Sequence, residues 1–197
     1  HTAYRRQRQM CIRDSSKKAI EASKTAKLPR AFWGWTEIIE MNKTGYWPYT
    51  PNTNLLYGLN EALDMILEEG LDNVFARHDR LSAACRLAVN AWGLEVQCAD
   101  PTVYSPILTG VMTPEGFDAD AIRKTIYERF NMSLGTGLGK MKGRMFRIGH
   151  LGEANDLSLM ATLAGCEMGL KIAGVKLAGS GVAVSYTHLT LPTICSV

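Results

Sequence analysis

The residues with the most chemical potential lie in Ser133-Leu134-Gly135-Thr136-Gly137-Leu138-Gly139-Lys140 and in Gly143-Arg144-Met145-Phe146-Arg147-Ile148-Gly149-His150-Leu151-Gly152. A glycine-dense loop runs into a short apolar strand that carries one arginine, Arg147. Glycine permits close backbone approach, so the loop can fold tightly against a neighbour. A guanidinium among apolar residues calls for a carboxylate or phosphate that matches its planar fork. Two readings stand: Arg147 binds an anionic ligand, or it closes a structural ion pair. A second concentration of polar and aromatic groups spans 42–54, with Tyr46, Trp47, Tyr49 and Thr50 between Gly45 and Asn52. Pro48 and Pro51 hold that loop extended, so it is either a ligand-facing loop on a rigid scaffold or a loop packed on the core. Nucleotide binding fits poorly. Gly139-Lys140 is followed by Met141 rather than the hydroxyl residue of a phosphate loop, and the third glycine comes one residue too early for a dinucleotide fingerprint.

Helices and strands must position these groups. The spacing predicts a helix from Ser16 to about Lys27, ended by Pro29, and a short one over Thr36–Met41. From Asn54, Leu55, Leu59, Leu63 and Leu67 recur at helical intervals up to Gly70. A second long helix follows, with Val74, His78, Leu81, Cys85 and Val89 on one stripe and Gly93 as its stop. His78 on that stripe reads as a satisfied, partly buried histidine. Leu94–Cys98 alternates like a strand, and Pro106–Met112 reads as another. Asp118 begins a helix whose acidic first turn suits the helix dipole. The glycine loop, an Arg144–Ile148 strand and an apolar helix from Asn155 to Ala173 complete the pattern. This is a small α/β sandwich, its sheet mainly antiparallel with helices on one face.

The string Phe146-Arg147-Ile148-Gly149-His150-Leu151-Gly152, with its preceding loop, resembles the C-terminal domain of class V pyridoxal-phosphate aminotransferases. So does Tyr49-Thr50-Pro51 followed by Asn54-Leu55-Leu56-Tyr57-Gly58-Leu59, and the similarity runs from about Lys18 to about Val182. The resemblance implies the C-terminal part of a type I pyridoxal-phosphate transferase fold: the end of the large domain with a linking helix over 16–70, and a small domain over 71–183. It implies that Arg147 grips the substrate α-carboxylate, and that Thr50, assisted by Tyr49, reaches the phosphate of pyridoxal 5'-phosphate across a homodimer interface. The implied reaction moves the amino group of L-serine, or a similar small amino acid, to glyoxylate. Another class V aminotransferase, such as one acting on alanine and glyoxylate, or a domain for binding or assembly alone, are the alternatives. The lysine that holds the cofactor covalently and the acid facing its ring nitrogen precede the matched region in that family. Lys17, Lys18, Lys24 and Lys27 lack the family's lysine context, so the chain reads as a C-terminal piece, inactive alone.

The 197 residues carry a net charge of +3. That excess sits in residues 1–15, where Arg5, Arg6, Arg8 and Arg13 face only Asp14; over 16–183 acids and bases balance. Both 1–15 and 184–197 resemble translated sequencing adapter, the alternatives being a nucleic-acid-binding arm in front and an edge strand behind. Taken as adapter, they pack on nothing. A balanced domain argues against a nucleic-acid partner, and no apolar run is long enough for a membrane span. Of five cysteines, Cys11 and Cys195 fall in those ends, while Cys85, Cys98 and Cys166 form no metal-binding spacing. They read as free thiols of a cytoplasmic protein with no metal.

Overall fold

The computed structural model describes residues 16–32 and 34–191. The chain divides into two compact units between Met65 and Ile66, inside a helix and five residues before the boundary the sequence suggests. In the first unit α1 (Lys17–Thr25) is capped by Ser16, whose side chain accepts from the Ala19 amide. Helix α2 (Trp35–Asn42) ends where Tyr46 N donates to Met41 O and Gly45 N to Asn42 O. This paired arrangement closes a helix on a left-handed residue, here Gly45 at φ 80°. The extended stretch that follows leads into α3 (Thr53–Glu69), where the Asn52 side chain accepts from the Leu55 amide.

The second unit is built around α4 (Leu71–Ala91). Leu81, Ala84, Cys85, Ala88, Val89 and the capping Trp92 are wholly buried on one stripe, as the periodicity requires. Strand β1 (Leu108–Met112), helix α5 (Ala119–Phe130), strands β2 (Gly135–Thr136) and β3 (Met145–Gly149), and helix α6 (Asp156–Ile172) follow. The three strands form an antiparallel sheet in the order β1-β3-β2. Successive side chains on a strand point to opposite faces. Thr109 and Val111 of β1 and Phe146 and Ile148 of β3 are buried on one face, where Val111, Phe146 and Ile148 join the helical core. Leu108, Gly110, Arg147 and Gly149 alternate onto the other, more open face.

Two expectations need correction. Leu94–Cys98 is not a regular strand. It meets β1 at a single bridge, Val96 against Val111, flanked by bonds from Gln97 N to Gly110 O and from Met112 N to Glu95 O. A strand that short, turned away at Asp100-Pro101, cannot extend the ladder. The second correction concerns residues from 184 onward, which do not all pack on nothing. Helix α7 (Gly181–Thr190) is capped by Ser180 and lies against α4 and α6. Val182 and Leu189 pack on the core, and the fully buried Ser185 donates to the Ala84 carbonyl at 2.8 Å. Spacing of three and four residues puts these side chains on one face, a pattern discounted when the segment was set aside as adapter. Residues 1–15 and 192–197 lie outside the described residues.

The start of α7 is fastened by Glu167 of α6. Its carboxylate accepts from Trp92 Nε1 at 2.9 Å, Ser180 Oγ at 3.1 Å and the Val182 amide at 3.3 Å, and pairs with Lys171. Burial would raise its pKa, but these donors together hold it at about 2. Ending the chain at Ala183 therefore removes packed structure. Equilibrium urea unfolding should show a loss of at least about 2 kcal/mol, the scale of deleting a core side chain. An unchanged midpoint would mean that the helix contributes nothing to the fold.

Candidate functional site

Arg147 stands at the centre of β3, paired with Gly110 on β1 and Gly135 on β2. The side chain is not surrounded by apolar groups as the sequence suggests, because alternation turns it away from Phe146 and Ile148 onto the open face. It is half-buried. A Cβ on Gly135 would lie 3.0 Å from Arg147 Nε and 3.1 Å from its Cβ. The guanidinium thus rests over a backbone that only glycine leaves clear. The loop beyond is equally tight: a Cβ on Gly137 would strike the Met141 carbonyl. Helix α5 holds this loop through Arg123, whose Nε and Nη2 donate to Leu134 O at 2.8 and 2.6 Å. Asp120 accepts from Thr136 Oγ1 and from Arg123, both at 2.7 Å. The Thr136 hydroxyl and Arg123 hold its pKa below the usual carboxylate value.

Five arginines of the second unit are half-buried: Arg77, Arg80, Arg86, Arg123 and Arg147. Arg77 pairs with Glu69, Arg80 with Asp156 and Arg123 with Asp120. Among the described residues no carboxylate pairs with Arg147, and its buried Nε has no hydrogen-bond partner. A buried donor without an acceptor costs about 1–3 kcal/mol, and an anionic ligand would supply the acceptor. The residue faces a recess of about 190 Å³ whose lining includes Gln97, Tyr104, Ser105 and Met145.

The segment after β3 is clamped. Arg77 donates to the carbonyls of Gly152 and Ala154 at 2.8 and 2.9 Å, while Arg80 grips Asp156 with two bonds. His78 is satisfied at both ring nitrogens, Nδ1 with Val74 O at 2.7 Å and Nε2 with the Gly152 amide at 3.2 Å. His150 is 1% exposed and bridges Pro106 O and Thr109 Oγ1, at 3.1 and 2.9 Å. The Pro106 carbonyl requires a proton on Nδ1, so Nε2 accepts from the threonine. Burial pulls the imidazole pKa down to about 4, with the Pro106 carbonyl opposing. The Cys85 thiol is pushed up to about 11 by burial, and Cys166 is also buried and raised, which makes both poor nucleophiles.

In the first unit Tyr49 and Thr50 are neighbours in the loop before α3. The Tyr49 ring lies 4.7 Å from that of Phe32, tilted by 38°. Thr50 is exposed, and its hydroxyl has no hydrogen-bond partner among the described residues. Lys17, Lys18, Lys24 and Lys27 are exposed, with Lys24 paired to Glu21. Each unit thus offers one group able to meet an anion: the exposed Thr50 hydroxyl in the first and the Arg147 guanidinium in the second. Among the described residues no lysine is buried. Among the described residues no cluster of His, Cys, Asp or Glu could hold a metal ion, and no helix is long and apolar enough to cross a membrane. Sequence reasoning missed Arg86 and Tyr104, both on the recess. The only signal was an arginine next to Cys85 at the edge of a buried stripe.

No protein-family model matches the chain. The serine–glyoxylate aminotransferase of Arabidopsis thaliana is 49% identical over 177 residues, covering 89% of this chain and 44% of that protein. The L-aspartate–glyoxylate aminotransferase of Paracoccus denitrificans is 44% identical over 178 residues, 88% of this chain and 44% of the relative. Among solved structures, pyridoxamine–pyruvate aminotransferase from Mesorhizobium loti superposes with a TM-score of 0.78 at 32% identity, over 88% of this chain and 45% of that one. The chain thus spans less than half the length of the relatives it matches.

The His150 geometry sets a pH dependence. Its folded pKa lies below the ordinary 6.5, so between about 6.5 and 4 the unfolded chain binds the extra proton. Stability should be complete above about pH 6.5 and fall by about 3 kcal/mol as pH drops to about 4. An NMR titration should find the imidazole neutral down to about pH 5, whereas a midpoint near 6.5 would refute its buried placement.

Proposed function

Because the chain is homologous to part of the class V pyridoxal-phosphate aminotransferases, we propose that it forms the corresponding stretch of a transaminase. That enzyme moves the amino group of L-serine, or a similar small amino acid, to glyoxylate. The observation that carries this reading is the acid-free guanidinium of Arg147 over Gly135, its Nε buried and unpartnered. Arg147 binds the substrate α-carboxylate through its planar fork. The neighbouring Met145 and Val96 side chains lower the local dielectric, which strengthens that pairing. The sheet fixes the arginine's backbone before substrate arrives, which limits the ordering cost of binding. Both relatives are named for glyoxylate as one substrate, which supports the acceptor.

Thr50 donates its hydroxyl to the phosphate of pyridoxal 5'-phosphate, with Tyr49 beside it braced on Phe32. When bound, the cofactor supplies the electron-withdrawing ring that lets an amino group pass between carbon skeletons. The complete enzyme acts as a cytoplasmic homodimer in which Thr50 serves the partner's cofactor. Helix α3 supports this, having no buried residue and leaving Leu55, Leu56, Tyr57, Leu59 and Leu63 exposed. Free Cys85, Cys98 and Cys166 suit a reducing compartment.

In the complete holoenzyme, Arg147→Lys keeps the charge and loses the fork, while Arg147→Ala loses both. Either should lower catalytic efficiency with amino acids by at least about 2 kcal/mol and leave cofactor affinity unchanged. Amines without a carboxylate should be spared, and an equal loss for them would make Arg147 structural. Thr50→Val should weaken cofactor binding by about 1.5–3 kcal/mol, the value of a hydrogen bond to a charged group. Unchanged affinity would return Thr50 to loop structure. The 197-residue chain treated with pyridoxal phosphate and borohydride should trap no single lysine. A stoichiometric adduct at one site would contradict the expected upstream position of the cofactor lysine.

A further inference from the structure

The recess beside Arg147 has a second unpaired cation. Arg86, on α4, lines the same cavity, and its guanidinium carbon lies 4.7 Å from the centroid of the Tyr104 ring. Of the five half-buried arginines, the three with carboxylate partners lie elsewhere, and the two without line this recess. No Asp or Glu is among the lining residues. The nearby acid in the chain, Asp100, is occupied by the Thr102 amide at 2.9 Å and the Thr102 hydroxyl at 2.7 Å. Those bonds shape the turn over 101–103 that presents Tyr104 to Arg86. The ring face attracts the guanidinium and holds its plane, while Gln97 and Ser105 add neutral hydrogen-bonding groups to the wall.

Two like charges in one partly desolvated cavity repel, and among the described residues no acid pairs with either. A ligand with two separate negative groups would satisfy both. We propose that the recess binds a small dicarboxylic amino or 2-oxo acid, one carboxylate on Arg147 and the other on Arg86, which makes Arg86 a specificity-determining residue. The inference rests on the assignment of Arg147 to the α-carboxylate. It adds that the site also accepts an acidic side chain, beside the small neutral donor of the proposed reaction. Tyr104 acts as a positioning residue, holding Arg86 at the cavity wall.

Isothermal titration of the 197-residue chain with succinate and with acetate tests this. Succinate should bind at least about tenfold more tightly, the worth of one added charge-assisted hydrogen-bonding group. Arg86→Gln should bring succinate down to the level of acetate and leave acetate unchanged. Arg86→Lys, which keeps the stem, the charge and hence the packing, should give an intermediate succinate affinity. Tyr104→Leu should weaken succinate without altering acetate. Arg147→Gln should abolish both ligands. If succinate is no better than acetate, or Arg86→Gln leaves it unchanged, the second-carboxylate assignment fails while Arg147 keeps its role. If Arg147→Gln retains both ligands, the reading of Arg147 fails as well. Inorganic phosphate binding as tightly as succinate would show that charge alone is read, and would overturn the dicarboxylate assignment.

Discussion

The guanidinium of Arg147, fixed on the open face of an antiparallel sheet without an acid of its own, is the constraint on which the site depends. Holding it there requires a sheet with one buried face and one accessible face. Val111, Phe146 and Ile148 provide the buried face by packing against the helices. Gly135 provides the clearance, since a methyl group there would press on Nε. The energetic penalty of leaving the group unpaired is offset by the core beneath it. In the proposed role, binding an anion would recover part of that penalty by giving the buried Nε its acceptor.

Rigidity comes from both ends of β3. On the entry side, Arg123 and Asp120 hold the glycine loop to α5. On the exit side, Arg77, His78 and Arg80 tie the segment after β3 to α4, and His150 ties it to Pro106 and Thr109. These clamps combine half-buried ion pairs with bonds to backbone carbonyls. Glu69, Asp120 and Asp156 each pair with an arginine other than Arg147 and Arg86. Arg86 and Arg147 line the recess with no Asp or Glu beside them, although acids and bases balance over 16–183 as a whole.

Much of this was legible in the sequence because it rests on local periodicity. Helices α4, α5 and α6 follow from apolar spacing and from starts such as Asp118 and Asn155, and the strand around Arg147 follows from its short apolar run, though not the face on which the arginine lies. The satisfied state of His78 was legible too, from its place on a buried stripe. The resemblance to aminotransferases rested on motif strings, and the serine–glyoxylate and L-aspartate–glyoxylate aminotransferases found as relatives agree with it at the level of the chain. What the sequence could not show is long-range. Arg86 and Tyr104 are 18 positions apart and meet only because the 101–103 turn folds back over α4. The Glu167 clasp joins residues from three helices. Helix α7 escaped for a different reason: the resemblance of 184–197 to translated adapter outweighed the three- and four-residue spacing of Val182, Ser185 and Leu189. The over-long strand at Leu94–Cys98 shows that alternation alone does not secure a ladder partner.

In the proposed role, Arg147 waits without an acceptor and takes a carboxylate. The most direct measurement is the NMR signal of the Arg147 Nε–H in the 197-residue chain, assigned by its loss in Arg147→Lys and followed during titration with acetate. The account predicts that the ligand-free proton shows no sign of an anionic acceptor, and that acetate moves it downfield and slows its exchange with water. A proton already shifted and protected without ligand, and unmoved by acetate, would mean that the protein supplies its own partner, and the assignment of this site would be wrong.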